Sequence, residues 1–495
     1  MILRRFDIFK DYVKPIATSL FVAIGLFFFA SCGDDEISTD PMDRLAFSVE
    51  KVDFDTIIAG QPSNTYYFMV YNRAKKDVQI DRIYLQSGSN ANFKVNVDGI
   101  SLVGGSATDF LIPAEDSMRV FLFANVPDVD SDAPIPVSDA LVFQLSTGIT
   151  QQVPLNAQSQ SVVKLKGKRI SGTETFTPNR PYQIVDSLVV EAGATLNIQA
   201  GAKLLFGANA SLIVHGTLNA VGTFDAPIVF RGDRLGEMFS NQPYDRIPAQ
   251  WVGIRFAGDS YGNRIYCCDI HSAQNGVVCD SSNVDVLKLS MENSILHNMS
   301  KNCLGLRMSQ VFVGNSQITN AGGNCVDIRG GRYQFVHCTI ANFYAFTGGR
   351  GVALVYTNQG ENNERLPLYQ CDFINCLVTG YSADEIMGSA SERYTDDAFA
   401  YTFRNCLLNT PEVEGEGIIN CFWDRKSNEV YRDKNFEPEF NLDQLIFTFY
   451  LSEKSQAVNN ADHSQPSYTY THDLLGRMRD GNPDIGCYEF FPASE

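Results

Sequence analysis

The sequence predicts an all-β protein in two parts, a sandwich of short strands followed by a long solenoid. Three observations carry this reading. Aromatic residues make up 12% of the chain and Val, Ile, Thr and Asn are abundant, a composition that favours strands over helices. No long stretch repeats its apolar residues every 3.6 positions, as an amphipathic helix requires. Beyond about Ser171, short apolar strands recur between glycine and asparagine turns, the texture of a repeat architecture.

The first element is an export signal. Arg4, Arg5, Lys10 and Lys14 give a basic start, Ile16 to Ala30 an apolar run, and Phe29-Ala30-Ser31-Cys32 a small-residue exit. That order defines a secretory signal over residues 1–31. The apolar run is shorter than the ~20 residues that span a bilayer. The segment resembles a bacterial lipobox, which implies that Cys32 is lipidated and becomes the first mature residue. Asp34, Asp35 and Glu36 follow it and resemble the surface-export signal of Bacteroidetes lipoproteins. The expected location is the outer membrane, lipid-anchored and facing outward, with residues 32–44 as a flexible tether.

Removing 31 residues takes away four basic and two acidic side chains, leaving 35 Lys and Arg against 55 Asp and Glu. A net charge near −20 disfavours nucleic acid, which needs clustered cations. Cys32 aside, 11 of the 12 cysteines remain, and none lies before Cys267. An odd number confined to one half argues against a disulfide framework. These thiols read as small buried hydrophobes. Neither Cys267-Cys268 nor Cys371/Cys376 has a second pair at zinc-site spacing.

Residues 45–165 hold about seven short strands between turn clusters, among them Tyr66–Tyr71, Phe93–Val97 and Met118–Phe123. That length and spacing predict an immunoglobulin-like sandwich. The order VDFDTIIAG, YYFMVYN, FKVNV, FLIPAEDSMRVFLFANVP, LVFQLSTG resembles Hydin-like domains, which implies a spacer or protein-contact role.

Residues 170–490 form the solenoid. Turns at Gly193, Gly201, Gly207, Gly216 and Gly222 separate alternating strands, and Trp251–Phe256 resumes them after an insertion at 232–250. The stretch resembles the opening of right-handed parallel β-helices of the pectate-lyase type. Aligning CCDIHS, NSILHN, NSQITN, HCTIAN and QCDFIN stacks Cys268, Ser294, Ser316, Cys338 and Cys371. Four residues on come Ser272 and then Asn298, Asn320, Asn342 and Asn375, a predicted ladder. Asn tolerates the left-handed corner, and its amide reaches the copy about 4.8 Å away. A second strand aligns Val277/Leu304/Val326/Val352 and Cys279/Leu306/Ile328/Leu354 as inward columns, with further insertions at 357–366 and about 378–398. The ending DIGCYEF resembles the Asp-Ile-Gly-Ala-Tyr-Glu terminus of secreted β-helix proteins, with Cys487 for Ala. The resemblance implies that this segment closes the solenoid's apolar end.

The second-strand register places Asp280, Arg307 and Arg329 in one outward column, with Asp327 two residues before Arg329. Resemblance to β-helix polysaccharide lyases implies acids holding Ca²⁺ against a uronate while Arg abstracts a proton. A solvated salt-bridge ladder is the competing explanation. His271 and His297 also stack and can bind a metal, act as acid and base, or be structural. Asp128, Asp130, Asp132 and Asp139 outline either a calcium loop, with Ala133 where Gly is needed, or a solvated loop. Tyr381, Asp384, Glu385, Glu392, Tyr394, Asp396 and Asp397 sit on insertions that can either stack sugars or merely pack. No nucleophile elbow, phosphate loop or zinc motif occurs.

The expected function is therefore a surface lipoprotein whose solenoid binds a glycan or protein, or which serves within an outer-membrane complex. No cofactor is required by this reading. The alternative is a surface polysaccharide-degrading enzyme, lyase or glycosidase, and Ca²⁺ enters only there.

Overall fold

The computed structural model describes residues 36–239, 242–360, 364–426, 429–430, 435–436, 440–441 and 444–492. The signal peptide, Cys32, Asp34 and Asp35 lie outside them. The chain divides into two compact units: residues up to 54 with 65–125 and 136–157, and residues 55–64 with 126–135 and 158–495.

The first unit contains two five-stranded sheets. One runs Leu45–Phe47, Tyr66–Asn72, Ser117–Ala124, Phe93–Val97, Ile100–Ser101. The other runs Val52–Ile58, Thr150–Gln160, Ile135–Leu145, Val78–Leu85, Ser106–Ile112. Alternation along the strands turns one face of each sheet inward; Val52 and Phe54 are buried while Asp53 is exposed. Phe47 meets Phe143 at 5.2 Å and Phe54 meets Phe93 at 5.8 Å, joining the two inner faces. The presumed tether is shorter than expected. Ile37 bridges Asp77, Ser38 N–H donates to Asp77 O at 2.8 Å, and Lys76 pairs with Glu36 at 3.0 Å. Backbone bonding therefore fixes residues 36–38 to the first unit.

The second unit is built on three long parallel sheets. Sheet I stacks 11 strands from Val163–Lys166 to Phe422–Trp423, sheet II nine from Arg169–Ile170 to Ile386–Ser389, and sheet III ten from Thr173–Phe176 to Ile418–Ile419. The chain visits I, II and III in repeated cyclic order, an arrangement compatible with a parallel β-helix solenoid. It starts at Val163 rather than 170. Inward side chains form continuous stacks, including Phe335 on Phe373 at 4.7 Å and Phe373 on Phe403 at 4.8 Å. Each such ring contributes about 1.5–3 kcal/mol by leaving water.

Three parts of the predicted register are corrected. The inward columns end on Leu354 and Tyr356, which pair with Val326 and Ile328, so Val352 and Leu354 were each placed two residues early. The span 378–398 is not one insertion, because it carries the strands Leu377–Gly380 and Ile386–Ser389. The terminal DIGCYEF segment lies on the outer face of sheet I instead of closing an end. Ile485, Cys487 and Tyr488 pack with Ala341, Leu377 and Leu407. Cys487 N–H donates to Thr339 Oγ1 at 3.1 Å, and a Cβ on Gly486 would stand 2.7 Å from that oxygen. Sheet I is apolar on both faces here, so a cover is needed on its outside.

Candidate functional site

The charged and histidine candidates of the solenoid strands lie on the outer faces of sheets I and II. On sheet II, Arg307 and Arg329 are direct partners on neighbouring strands, and Asp280 follows the preceding strand. Each charge is taken up locally. Asp280 accepts from Arg255 Nε at 2.8 Å, and Arg307 pairs with Glu364. Asp327 accepts from Arg329 Nε and Asn324 Nδ2, both at 2.9 Å. This is a set of ion pairs along a sheet face, and such pairs are mutually favourable.

The asparagine ladder splits in two. Asn298, Asn320 and Asn342 occupy equivalent positions at the end of the sheet I strands. Asn320 Nδ2 donates to Asn298 Oδ1 at 3.4 Å, while Asn342 Nδ2 turns to Ala321 O at 3.0 Å. Asn375 does not belong with them; Gly380 holds that place opposite Asn342. Asn375 instead continues a second ladder, Asn293, Asn315, His337, Asn375, Asn405 and Asn420, at the corner from sheet III to sheet I. All six have φ between 45° and 55°. Each is followed by Ser or Cys: Ser294, Ser316, Cys338, Cys376, Cys406, Cys421. That dipeptide is the sequence mark of this corner; Cys371 belongs elsewhere, as an inward residue of sheet III opposite Tyr333.

The eleven cysteines from Cys267 to Cys487 are all unbridged, and only Cys421 is more than slightly exposed. Burial pushes the Cys279 and Cys487 thiols up to about 12, so neither supplies a thiolate nucleophile near neutral pH.

Sheet III carries a cleft of about 480 Å³ that sequence reasoning missed. Tyr369, Gln370, Asp372, Tyr401 and Glu416 are among the residues lining it. Asp372 is held by Gln370 Nε2 at 2.7 Å, and Tyr369 is 41% exposed. The pattern around 368–374 explains how it forms. Leu368, Cys371 and Phe373 point inward, leaving Gln370 and Asp372 on the outer face.

On sheet I, His271 and His297 are direct partners, and Asp269 stands one row aside. His271 Nδ1 lies 2.9 Å and His297 Nε2 3.3 Å from the same Asp269 oxygen. Burial acts to raise the Asp269 carboxyl, but the charge of His271 and hydrogen bonds from both histidines outweigh it and hold it well below the usual range.

Several of the remaining acids have structural partners. Arg180 reaches Asp130 at 2.7 Å and Asp132 at 2.8 Å, while Asp128 accepts from Ser161 Oγ at 2.6 Å. The acidic loop thus closes on a guanidinium. Glu385 is buried, accepts from Ala353 N–H at 2.8 Å and faces Arg350 at 3.5 Å. Asp397 pairs with Arg365, whose guanidinium stands 5.1 Å from the Tyr394 ring centre.

No protein-family description and no curated protein matches the chain. Among solved structures it is similar to the ASH/PapD-like domain of human CEP192 (PapD-like domain 7), with 14% identity, 25% of this chain and 91% of that chain covered, and a TM-score of 0.18. It is also similar to a protein of unknown function from Porphyromonas gingivalis W83, with 16% identity, coverage of 26% and 60%, and a TM-score of 0.18.

Proposed function

We propose that this chain is a lipid-anchored outer-membrane protein, exposed at the cell surface, whose solenoid binds a neutral glycan through the cleft on sheet III. In this reading the first unit is an immunoglobulin-like spacer and the solenoid is a right-handed parallel β-helix. The cleft carries the proposal. Tyr369 and Tyr401 offer aromatic walls beside Gln370, Asp372 and Glu416. Apolar ring surface suits the C–H faces of a sugar, and a few placed polar groups suit its hydroxyls. The lining holds two carboxylates, and one guanidinium, that of Arg332, stands 5.0 Å from the centre of the Tyr369 ring, so the net charge at the cleft stays negative and disfavours polyanionic chains.

The test is retention of the full chain, in detergent, on a panel of neutral and acidic polysaccharides. Neutral chains should retain the protein, and Tyr369→Ala should weaken retention at least about tenfold while leaving the fold intact, since the side chain lies on the outer face of sheet III, 41% exposed, and not in the core. Loss of all retention, or a Tyr369→Ala variant that binds as well as the parent, overturns the glycan reading. Release of new reducing ends would turn the same cleft into a hydrolase site served by Asp372 and Glu416. The anchoring half has its own test, because Cys32→Ala should move the protein out of the membrane fraction.

A further inference from the structure

We infer that Asp269, His271 and His297 form a site for one divalent transition-metal cation of the zinc class, on a different face from the cleft and independent of it. The three side chains are the group among the described residues whose metal-ligating atoms converge, all within 4.8 Å of one another. Two imidazoles and one carboxylate are a donor set that suits zinc and its neighbours. Calcium prefers six to eight oxygens, and these residues do not supply them.

The spacing fits. Ligands about 2.0–2.1 Å from a tetrahedral zinc stand roughly 3.3 Å apart. Asp269 Oδ1 lies 2.9 Å from His271 Nδ1 and 3.3 Å from His297 Nε2. These two edges need shifts of only a few tenths of an ångström, while the two ring nitrogens, within 4.8 Å of each other, close by up to about 1.5 Å through rotation of the partly exposed His297 ring. The imidazole rings lie 4.9 Å apart and tilted by 34°, so each can turn an edge toward a shared point.

The His271 side chain is only 7% exposed and its Nδ1 faces Asp269 at 2.9 Å. Nδ1 is therefore the atom this ring offers to the ion, and the other ring nitrogen points away from the site and takes no part. Arg231, next along the His271 column, hydrogen-bonds away from the site, to Asp245 at 3.4 Å and Arg234 O at 2.9 Å, although its charge still reaches Asp269.

The frame is rigid. Trp251 Nε1 donates to His271 O at 2.9 Å from inside the core. The loop before it is tied across the end of the strands, where Ser272 Oγ donates to Asp245 O and Asn298 Nδ2 to Arg246 O at 2.9 Å. Asp269 and His297 keep 32% and 24% of their side chains exposed, which gives an ion a way in and leaves a coordination position for water.

Zinc and cobalt titrations of the full chain in detergent test the site. The parent should take up one equivalent of Zn²⁺, give the visible absorption of a nitrogen-ligated Co²⁺ complex, and unfold at higher temperature with Zn²⁺ present. His297→Ala and Asp269→Asn should each weaken Zn²⁺ binding at least about tenfold, the effect expected of supporting groups and exceeded by ligands. Neither should disturb the fold. Ala341 already occupies the His297 column two strands on, and Val229 and Ile295 flank Asp269. A hundredfold excess of Ca²⁺ should leave Zn²⁺ uptake unchanged. Absence of stoichiometric uptake, uptake preserved in both variants, or displacement by Ca²⁺ overturns the assignment.

Discussion

Asn375 donates from Nδ2 to Nε2 of His337 across 3.2 Å, one coil apart, and His337 Nδ1 faces Gly486 O at the same distance. These two contacts fix the tautomer: Nδ1 carries the proton and Nε2 accepts. Burial, with the nearby Arg479 charge, pushes the His337 pKa well below its ordinary value. In the unfolded chain the ring takes a proton near pH 6.5. His337 therefore contributes stability that is complete above that pH and lost as pH falls toward the folded value, at up to about 1.4 kcal/mol per pH unit.

His337→Asn should remove that slope. Asn fills the other five places of the ladder at the same left-handed backbone angle, so the corner accepts it. Unfolding free energies of parent and variant, compared between pH 7.5 and 5.5, should converge as pH falls. A gap that stays constant across that range would contradict a neutral buried imidazole.

Arg479 and Glu489 form an ion pair at 2.8 Å with side chains 2% and 1% exposed. Arg479 also donates to Asn315 Oδ1 at 3.0 Å and Gly486 O at 2.9 Å. Arg479→Ala leaves a buried carboxylate without its cation and should cost about 3–5 kcal/mol. The double variant Arg479→Met, Glu489→Gln should cost clearly less than the two single changes together. Denaturant unfolding of the four variants, Arg479→Ala, Arg479→Met, Glu489→Gln and the double, reads both numbers.

Cys406 stands in the inward row that also holds Ser294 and Ser316. Its sulfur accepts from Cys376 N–H at 3.4 Å and reaches Arg404 O at 3.4 Å. Serine makes the same contacts three coils earlier, where Ser316 Oγ takes Ser294 N–H at 3.1 Å and donates to Gly314 O at 2.7 Å. Cys406→Ser should thus change stability by less than about 1 kcal/mol, whereas Cys406→Leu overfills the row and should cost about 1–3 kcal/mol or more. Thermal unfolding of both variants checks the contrast.

The ion pairs on sheet II predict that the protein leaves uronate polymers intact. Asp280 and Asp327 each have an arginine within 2.9 Å, so neither offers an uncommitted pair of oxygens to a metal-bridged substrate. Acidic polysaccharide incubated with the full chain and Ca²⁺ should develop no unsaturated-uronate absorbance. Absorbance that appears and then vanishes in Arg329→Ala would make sheet II the catalytic face.

Much of the fold is legible in the sequence wherever spacing is constant. The 22-residue step from Asn298 to Asn320 to Asn342 gives the sheet I register directly. It fails at the next coil because loops at the corners change length, and no constant step then links Asn342 to its partner Gly380. The Asn-Cys and Asn-Ser dipeptides would have kept the count, since a left-handed corner followed by a small inward residue is a local demand that loop length does not alter. The cleft was hidden for another reason. Glu416 and Tyr369 are 47 positions apart and meet only because sheet III stacks their strands. Likewise, nothing in DIGCYEF itself distinguishes a plug at one end from a cover along a side.

That cover couples time to strength. Residues near 479–489 bind side chains at 315, 317, 337 and 339 and the backbone of Asn375, so a later-made segment clasps coils made well over a hundred residues earlier. In a repeat protein each coil ordinarily leans only on its neighbours. Here several are spanned by one strap, and peeling any one of them means lifting the strap first. A chain truncated before residue 479 loses these contacts and keeps only those of 462–472, among them Asp462 O and Tyr468 O with Asn375 and His472 O with Asn315, so the coils from 315 to 375 act as one mechanical piece only while the whole strap is in place.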